Sequence, residues 1–308
     1  MVKANALKIG DTIGLIAPSS FTTKENIEKA RDKIIELGFK VKMGKSPYER
    51  YGYLSGTDEI RANDINEMFK DSQVDAIMTL RGGYGSPRIL DLIDYDIIKD
   101  NPKIFVGYSD ITALHIAFNQ KSNLVTYHGP MVVSDMIDNF SPFSRDNLLK
   151  AIMNTEPIGK ISNPEGEKII TINGGIAEGT IIGGNLSLIV DTIGTPYEID
   201  LKGKILFIEE VGEDAYNIDR MINQLRLSGK LQEAEGIILG DFKNCEVSKH
   251  SESLTLEQIF HDHIPKSKAT IYNLQAGHCD PMVSLAFGVR ARLDADKKEL
   301  TILEGSVK

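Results

Sequence analysis

Short apolar runs alternate with helical repeats through the first half of the chain. Residues 12–17 form a compact apolar run that ends at Pro18, and residues 24–37 carry apolar side chains at helical spacing. The apolar positions of this repeat are Ile27, Ala30, Ile34 and Ile35. Further segments follow in the same order: strand-like 40–43, helical 60–69, strand-like 75–80, and the strand-like run before Ser109. Strand followed by helix is the unit of a parallel sheet, so this half predicts an α/β domain of the flavodoxin or Rossmann type.

A turn-rich stretch at residues 154–166 separates this half from a second pattern. We place the domain boundary there, with an N-terminal domain of residues 1–158 and a C-terminal domain of residues 159–308. The second domain has β-like runs at 169–172, 204–208, 236–239, 283–289 and 300–303, and helical stretches after Gly183-Gly184-Asn185 and at 216–227. The pattern therefore predicts a smaller, strand-rich α/β domain after the first.

Composition limits the kinds of partner. The chain has 308 residues, 41% of them hydrophobic, and a formal net charge of −9, which favours two packed domains and a small-molecule partner over nucleic acid or an anionic membrane. No stretch approaches the roughly 20 apolar residues of a membrane span, and the first residues lack a signal core. We therefore expect a cytoplasmic protein. Cys245 and Cys279 fit a reducing compartment and lack metal-site spacing, so we expect no disulfide and no metal site.

Ser109 stands where an apolar strand stops at Gly107 and a helical pattern begins. Such a turn lifts a hydroxyl off the end of a sheet and places it beside the unpaired N–H groups of a helix N-terminus, which suits acyl transfer. The hydrolase motif Gly-x-Ser-x-Gly is not complete, because Ile111 replaces its second glycine. The alternative is that Ser109 only caps the helix.

The loop Arg81-Gly82-Gly83-Tyr84-Gly85-Ser86 follows a buried strand and is rich in glycine. Its backbone N–H groups can turn toward an anion, either a phosphate or, beside a nucleophilic serine, an oxyanion that the N–H of Asp110 also stabilises. The glycine spacing matches neither a P-loop nor a dinucleotide fingerprint. A tight turn explains the glycines but not Arg81, which we expect to bind a substrate carboxylate.

Six histidines offer a base for the serine. Three lie in a charged, poorly periodic region that is typical of solvated surface: His250, His261 and His263. His115 lies within the predicted helix, on a different face from its first turn. His128 ends a strand, and His278 lies in a turn of small and helix-breaking residues, so both remain candidates. Cys279 follows His278, and in extended chain its side chain points the other way.

Two acids end the apolar run at residues 204–208. Strand alternation places Glu209 and Glu210 on opposite faces, so only one of them can orient a given imidazole. The residues themselves leave the choice open, and charged residues that merely open a loop are the alternative for both.

Six ordered blocks together resemble the LD-carboxypeptidases, a family of serine peptidases that also contains the microcin C immunity peptidases. The blocks are Arg81-Gly82-Gly83-Tyr84-Gly85, Gly107-Tyr108-Ser109-Asp110, Tyr127-His128-Gly129-Pro130, Gly183-Gly184-Asn185-Leu186, Ile205-Leu206-Phe207-Ile208-Glu209 and Gly277-His278. The resemblance implies Ser109 as nucleophile, Glu209 as orienting acid and His278 as base, without metal or cofactor. It implies an oxyanion hole from Asp110 and either Gly82 or Gly83. We also expect substrate contacts by Arg81, Tyr84 and His128.

The resemblance implies a serine carboxypeptidase that releases the terminal D-alanine of murein tetrapeptides during peptidoglycan recycling. Related enzymes are often dimers, so we expect a homodimer. The alternative within the family is hydrolysis of a peptide-nucleotide antibiotic, whose base the immunity members stack on a tryptophan that this chain lacks. A different class of function is a non-catalytic α/β module that binds an anionic ligand at the glycine loop and Ser109.

Overall fold

The computed structural model describes residues 1–245 and 252–308 as two β-sheets with flanking helices. Its strands are β1 (Thr12–Ile16), β2 (Lys40–Met43), β3 (Ala76–Thr79), β4 (Ile104–Gly107), β5 (Thr126–His128), β6 (Gly159–Ile161), β7 (Ile170–Asn173), β8 (Ile176–Asn185), β9 (Lys204–Val211), β10 (Gly236–Lys243), β11 (Ala269–Tyr272), β12 (Leu285–Phe287), β13 (Arg290–Asp294) and β14 (Glu299–Ile302). Its helices are α1 (Lys24–Glu36), α2 (Asp58–Lys70), α3 (Tyr95–Asp100), α4 (Thr112–Lys121), α5 (Pro142–Met153), α6 (Leu186–Asp191), α7 (Ala215–Leu227), α8 (Lys230–Glu233) and α9 (Leu256–His263).

The first sheet has the strand order β12-β5-β4-β3-β1-β2. Strands β1 to β5 run parallel in the order 2-1-3-4-5 of the flavodoxin type, which confirms the predicted α/β class. Helix α1 buries Ile27, Ala30 and Ile34 against this sheet, whereas Ile35, the next position of the apolar repeat, is 52% exposed. One residue is a rotation of about 100° on a helix, so adjacent apolar side chains cannot share the buried face fully.

The second sheet has the order β6-β14-β13-β8-β9-β10-β11-β7. Its central strands β8 to β11 are parallel, and antiparallel strands flank them on both sides. The strand-rich character predicted for the second half is confirmed. Because the central strands are parallel, their carboxyl ends lie at one edge, where the end of β9 contacts the loop that follows β11.

Strand β12 joins the two halves of the chain. It comes from the C-terminal half but pairs antiparallel with β5 of the first sheet, where Leu285 lies opposite His128. The rings of Phe207 from β9 and Phe287 from β12 then pack 6.0 Å apart between the sheets. A boundary at residues 158 and 159 stays a prediction, and this pairing shows that the chain returns to the first sheet after it.

No helix in the described part of the chain is both long enough and apolar enough to cross a lipid bilayer.

Candidate active site

Ser109 lies directly beyond the carboxyl end of β4, at the start of a 3₁₀ turn that leads into α4. Its φ is +63°, in the left-handed region that non-glycine residues rarely adopt, and such strained positions cluster at functional sites. The end of β4 packs closely against β3, since a Cβ on Gly107 would lie 2.5 Å from Oγ1 of Thr79. The turn therefore presents the Ser109 hydroxyl beyond the sheet, and that hydroxyl faces a histidine.

His278 comes from the loop after β11 and lies between a hydroxyl and a carboxylate. Its Nε2 is 3.2 Å from Oγ of Ser109, and its Nδ1 is 2.6 Å from Oε2 of Glu209. With the proton on Nδ1, the ring donates to Glu209 and presents the Nε2 lone pair to the serine. These contacts have the connectivity of a nucleophile, a base and an orienting acid, brought together from β4, β9 and the β11 loop.

The two acids at the end of β9 have separate partners. Glu209 is fully buried and contacts His278, whereas Glu210 points to the other face of the strand. Glu210 accepts hydrogen bonds from Asn185 Nδ2 at 2.7 Å and from the N–H and hydroxyl of Ser187 at 2.8 and 2.6 Å. It therefore anchors the start of α6, and only Glu209 reaches the imidazole.

The surroundings of His278 favour its protonated form. Burial lowers the pKa of His278, but the charge of Glu209 and its hydrogen bond outweigh burial, so the pKa is raised above its ordinary value. A raised pKa makes the imidazole a stronger base toward the serine hydroxyl.

The Asp110 side chain organises the loops around Ser109. It is fully buried and accepts hydrogen bonds from the Ser19 hydroxyl, from the N–H of Ser86 at 2.8 Å and from the N–H of Gly85 at 3.3 Å. Burial outweighs these hydrogen bonds and raises the pKa of Asp110. Sequence reasoning assigned only the backbone N–H of this residue, although an acid directly after the serine was a visible signal for such an anchor.

Gly82 and Gly83 meet different neighbours. A Cβ on Gly82 would lie 3.0 Å from Cβ and 3.1 Å from Oγ of Ser109, whereas a Cβ on Gly83 would lie 2.2 Å from Oγ of Ser20. Gly82 is thus the glycine that packs directly on the serine. Both line the cavity into which the hydroxyl opens.

This cavity has a volume of about 660 Å³, within the range of sites for small ligands. Its charged lining residues are Arg81, Lys243, Asp135, Asp138 and Asp280. Sequence reasoning singled out only Arg81 among them. Cys279 also lines the cavity beside His278, in a segment where the chain bends at His278 and Asp280. That its side chain points away from that of His278 stays a prediction.

The three predicted substrate contacts lie in different surroundings. Arg81 lines the cavity, and its Nη1 donates to the carbonyl of Phe21 at 3.4 Å. Tyr84 is 44% exposed outside the lining and packs against Tyr53, with ring centroids 6.1 Å apart. His128 is fully buried below the site, and neither ring nitrogen has a hydrogen-bond partner within the described residues.

His128 therefore does not reach the cavity. Its ring packs against Tyr108 and Phe207 at centroid distances of 5.7 and 5.0 Å. Burial lowers the pKa of His128 well below its ordinary value, so the ring is neutral. A direct substrate contact by His128 is not compatible with this placement, because the Tyr108 ring packs over it.

In the described part of the chain, the other three histidines make no hydrogen bond to the serine. Nε2 of His115 contacts the carbonyl oxygen of Gly107 at 2.8 Å, and burial lowers the pKa of this histidine to about 4. His261 and His263 lie in the last turn of α9, so the view of this segment as poorly periodic is wrong for them. His250 lies outside the described residues.

Two family models match the chain. The model of the LD-carboxypeptidase N-terminal domain matches residues 13–129, and that of the LD-carboxypeptidase C-terminal domain matches residues 178–293. The chain belongs to the LD-carboxypeptidase family. The serine lies in the first matched region of this family, and the glutamate and histidine lie in the second.

The chain is also similar to individual proteins of this family. This chain is 41% identical to the probable murein peptide carboxypeptidase of Bacillus subtilis (strain 168), over 99% of this chain and 97% of the relative. Its fold is similar to that of apo MccF, the microcin C7 self-immunity protein of Escherichia coli, with a TM-score of 0.89, 26% identity and 100% of both chains covered. It is also similar to the muramoyltetrapeptide carboxypeptidase from Oxalobacter formigenes, with a TM-score of 0.84, 26% identity and 96% and 99% coverage.

Proposed function

We propose that the protein is a serine-type LD-carboxypeptidase that hydrolyses the L–D peptide bond before the terminal D-alanine of murein tetrapeptides. The observation that carries this proposal is the continuous set of contacts from Glu209 through His278 to Ser109, at 2.6 and 3.2 Å, at the wall of a cavity. Membership of the family and the murein peptide carboxypeptidase relative support the same activity.

Acylation begins with proton transfer within this set. Nε2 of His278 takes the proton of the Ser109 hydroxyl as Oγ attacks the scissile carbonyl carbon, while Glu209 stabilises the imidazolium. The tetrahedral intermediate collapses when the C–N bond breaks. The imidazolium gives its proton to the leaving nitrogen, and D-alanine departs. The acyl group stays bound to Oγ of Ser109.

Deacylation repeats these steps with water. His278 takes a proton from a water molecule, whose oxygen attacks the acyl carbon, and Ser109 recovers the proton as the ester bond breaks. The oxyanion in both steps is stabilised by the N–H of Asp110 and one N–H of the Gly82–Gly83 pair. The contact of Gly82 with Ser109 supports a role for this loop next to the reacting carbon.

The cavity is lined by both cationic and anionic side chains, which favours a peptide substrate that carries charges of both signs. A carboxypeptidase must hold a terminal carboxylate, and Arg81 and Lys243 are the cations that line the cavity in the described part of the chain. Arg81 supplies the planar, bidentate donor set for this carboxylate. The exposed ring of Tyr84 would contact the part of the peptide that leaves the cavity.

A second candidate is hydrolysis of a peptide-nucleotide antibiotic. The TM-score of 0.89 to MccF over the whole chain favours it. A nucleobase needs an aromatic surface for stacking, and because the chain has no tryptophan, a tyrosine or phenylalanine would have to supply it. Murein peptides are therefore the first substrate to test, with the peptide nucleotide second.

The test is release of D-alanine from murein tetrapeptides that carry lysine or diaminopimelate at the third position, with EDTA present. The expected result is release by the purified protein, and none by Ser109→Ala or from a tetrapeptide that ends in L-alanine. If D-alanine release occurs equally with Ser109→Ala, the serine mechanism is wrong. If neither protein releases D-alanine but the wild type cleaves a peptide nucleotide, the second candidate replaces the first.

We also propose that the enzyme acts in the cytoplasm, on peptides from peptidoglycan turnover, and that it is a homodimer. Sedimentation velocity over a tenfold range of protein concentration tests the dimer. A single species with the mass of one 34.0 kDa chain would rule it out.

A further inference from the structure

Asp135 and Tyr108 form a hydrogen-bonded pair beside His278. The Tyr108 hydroxyl donates to Oδ1 of Asp135 at 2.9 Å, and the N–H of Met131 donates to Oδ2 at 2.7 Å. Asp135 lies on a π-helical turn, Val132–Met136, a geometry that occurs often at functional sites. Both oxygens of the carboxylate are thus held by neighbours of the cavity wall.

Tyr108 connects this carboxylate to the imidazole. Its ring is buried and meets the His278 ring edge to face, with centroids 4.9 Å apart and planes at 66°. A ring at this distance limits the rotation of the imidazole, and it attracts the imidazole further when that ring is positively charged. The hydroxyl bond to Asp135 in turn limits the rotation of Tyr108.

We propose that Asp135, acting through Tyr108, is a positioning residue for His278 that holds the imidazole toward Ser109 and stabilises its protonated form. Glu209 fixes the ring at Nδ1, and the Tyr108–Asp135 pair fixes it from the side. This inference rests on the proposed function, because in the proposed reaction the imidazole becomes protonated when His278 takes the serine proton.

The charges around His278 support a separate effect of Asp135. The other titratable and charged groups around this histidine are Glu209 on β9, Asp241 and Lys243 on β10, Asp280 and Cys279 on its own loop, His128 behind Tyr108, and Glu210, whose charge acts from the opposite face of β9. Burial keeps His128 neutral, and it raises the pKa of the Cys279 thiol, so that group is neutral as well. Burial also raises the pKa of Asp135 to about 6, so its negative charge is present at neutral pH.

The test combines a titration with kinetics. Wild-type protein, Asp135→Asn and Asp138→Asn are labelled with ¹⁵N-histidine, and the His278 signals are followed against pH without substrate. Asp138 is the matched control, because it is an exposed acid of the same cavity. The expected result is a lower titration midpoint of His278 in Asp135→Asn, and a midpoint near the wild type in Asp138→Asn.

Kinetics on the tetrapeptide give the second readout. In Asp135→Asn we expect kcat to fall by roughly tenfold with little change in KM, and the acid limb of kcat/KM to move to lower pH. An unchanged His278 titration would overturn the proposal. A rise in KM alone would also overturn it, because it would make Asp135 a substrate contact. The His278 midpoint is measured without turnover. If it shifts in Asp135→Asn while the wild type shows no carboxypeptidase activity, the coupling between Asp135 and His278 stands and the proposed function is wrong.

Tyr108→Phe separates the effect of the hydroxyl bond from that of the Asp135 charge. It also provides a second test if Asp135→Asn does not fold. This change keeps the ring and the Asp135 charge but removes the hydroxyl bond. We expect kcat to fall while the His278 midpoint stays nearer to the wild type than in Asp135→Asn. Wild-type kcat in Tyr108→Phe would show that the link through Tyr108 does not exist.

Discussion

Gly277 makes room for the carboxylate of Glu209. A Cβ on Gly277 would lie 2.8 Å from Oε2 of Glu209, the oxygen that contacts Nδ1 of His278. Gly277 also has a φ of +120°, a conformation that L side chains rarely adopt. The residue before the histidine therefore decides whether the acid can reach the imidazole.

Replacement of Gly277 by alanine should displace Glu209 and loosen the hold on His278. We expect kcat to fall by on the order of a hundredfold, because a shift of about 1 Å in a catalytic group has that effect. Gly166→Ala is the control, since Gly166 has a φ of +94° and open space around its Cβ position. It should lose stability without losing kcat, and equal kcat losses in both variants would contradict the steric explanation.

The two acids of β9 should respond in opposite ways to amidation. Glu209→Gln is expected to lower kcat by about a thousandfold, because it leaves His278 without a charged partner. Its effect on stability should be small. Glu210→Gln should keep kcat within a few fold but lower the free energy of unfolding by about 1–3 kcal/mol, because its amide group would face the donors of Ser187 or Asn185. Kinetics and urea unfolding of both variants measure the two effects. A loss of kcat in Glu210→Gln as large as in Glu209→Gln would exchange their roles.

The pH dependence should follow His278. Its pKa is raised above the ordinary value of 6.5, and only the neutral imidazole can take the serine proton. We therefore expect kcat/KM to fall with decreasing pH through a midpoint above 6.5. Glu209→Gln removes the main group that raises the pKa and leaves burial, which lowers it, so its residual activity should extend to lower pH. A wild-type midpoint below 6.5 would be inconsistent with the raised pKa.

Loss of the Asp110 carboxylate should affect both stability and rate. Asp110→Ala leaves the buried N–H groups of Gly85 and Ser86 without their acceptor, which we expect to lower the free energy of unfolding by about 3 kcal/mol. Because these groups hold the glycine loop beside Ser109, kcat should fall as well. Asp138→Ala, at an exposed acid, should stay within about 0.5 kcal/mol of the wild type. Equal unfolding midpoints of the two variants in urea would show that Asp110 does not hold the loop.

His128→Phe tests the predicted substrate contact at this position. The ring lies among Tyr108, Phe207 and Phe287, with no hydrogen-bond partner for its nitrogens in the described residues, so an apolar ring should fit there. We expect unchanged KM, kcat within about threefold and equal or higher stability, because replacing an unpaired buried polar group by an apolar one is neutral or stabilising. A large rise in KM for the tetrapeptide would restore His128 as a substrate contact.

The sequence determined the local features of this protein. Apolar periodicity indicates the order of strands and helices, because burial of one face repeats every 2.0 or 3.6 residues whatever the rest of the chain does. The same local information placed Ser109 on a strand-to-helix turn and set Glu209 and Glu210 on opposite faces of one strand. The resemblance to the family then selected Glu209 and His278 as partners of the serine.

Only the tertiary structure decided which distant groups meet. His128 ends a strand-like run and His278 lies in a turn, and both remained candidates from the sequence, yet the pairing of β12 with β5 buries the first, while the loop after β11 places the second at 3.2 Å from Ser109. The contacts of Asp110 with Ser19 and of Tyr108 with Asp135 likewise join separate loops. Such contacts depend on how two sheets pack, and no periodicity within a segment carries that information, because it arises from the shapes of both surfaces together.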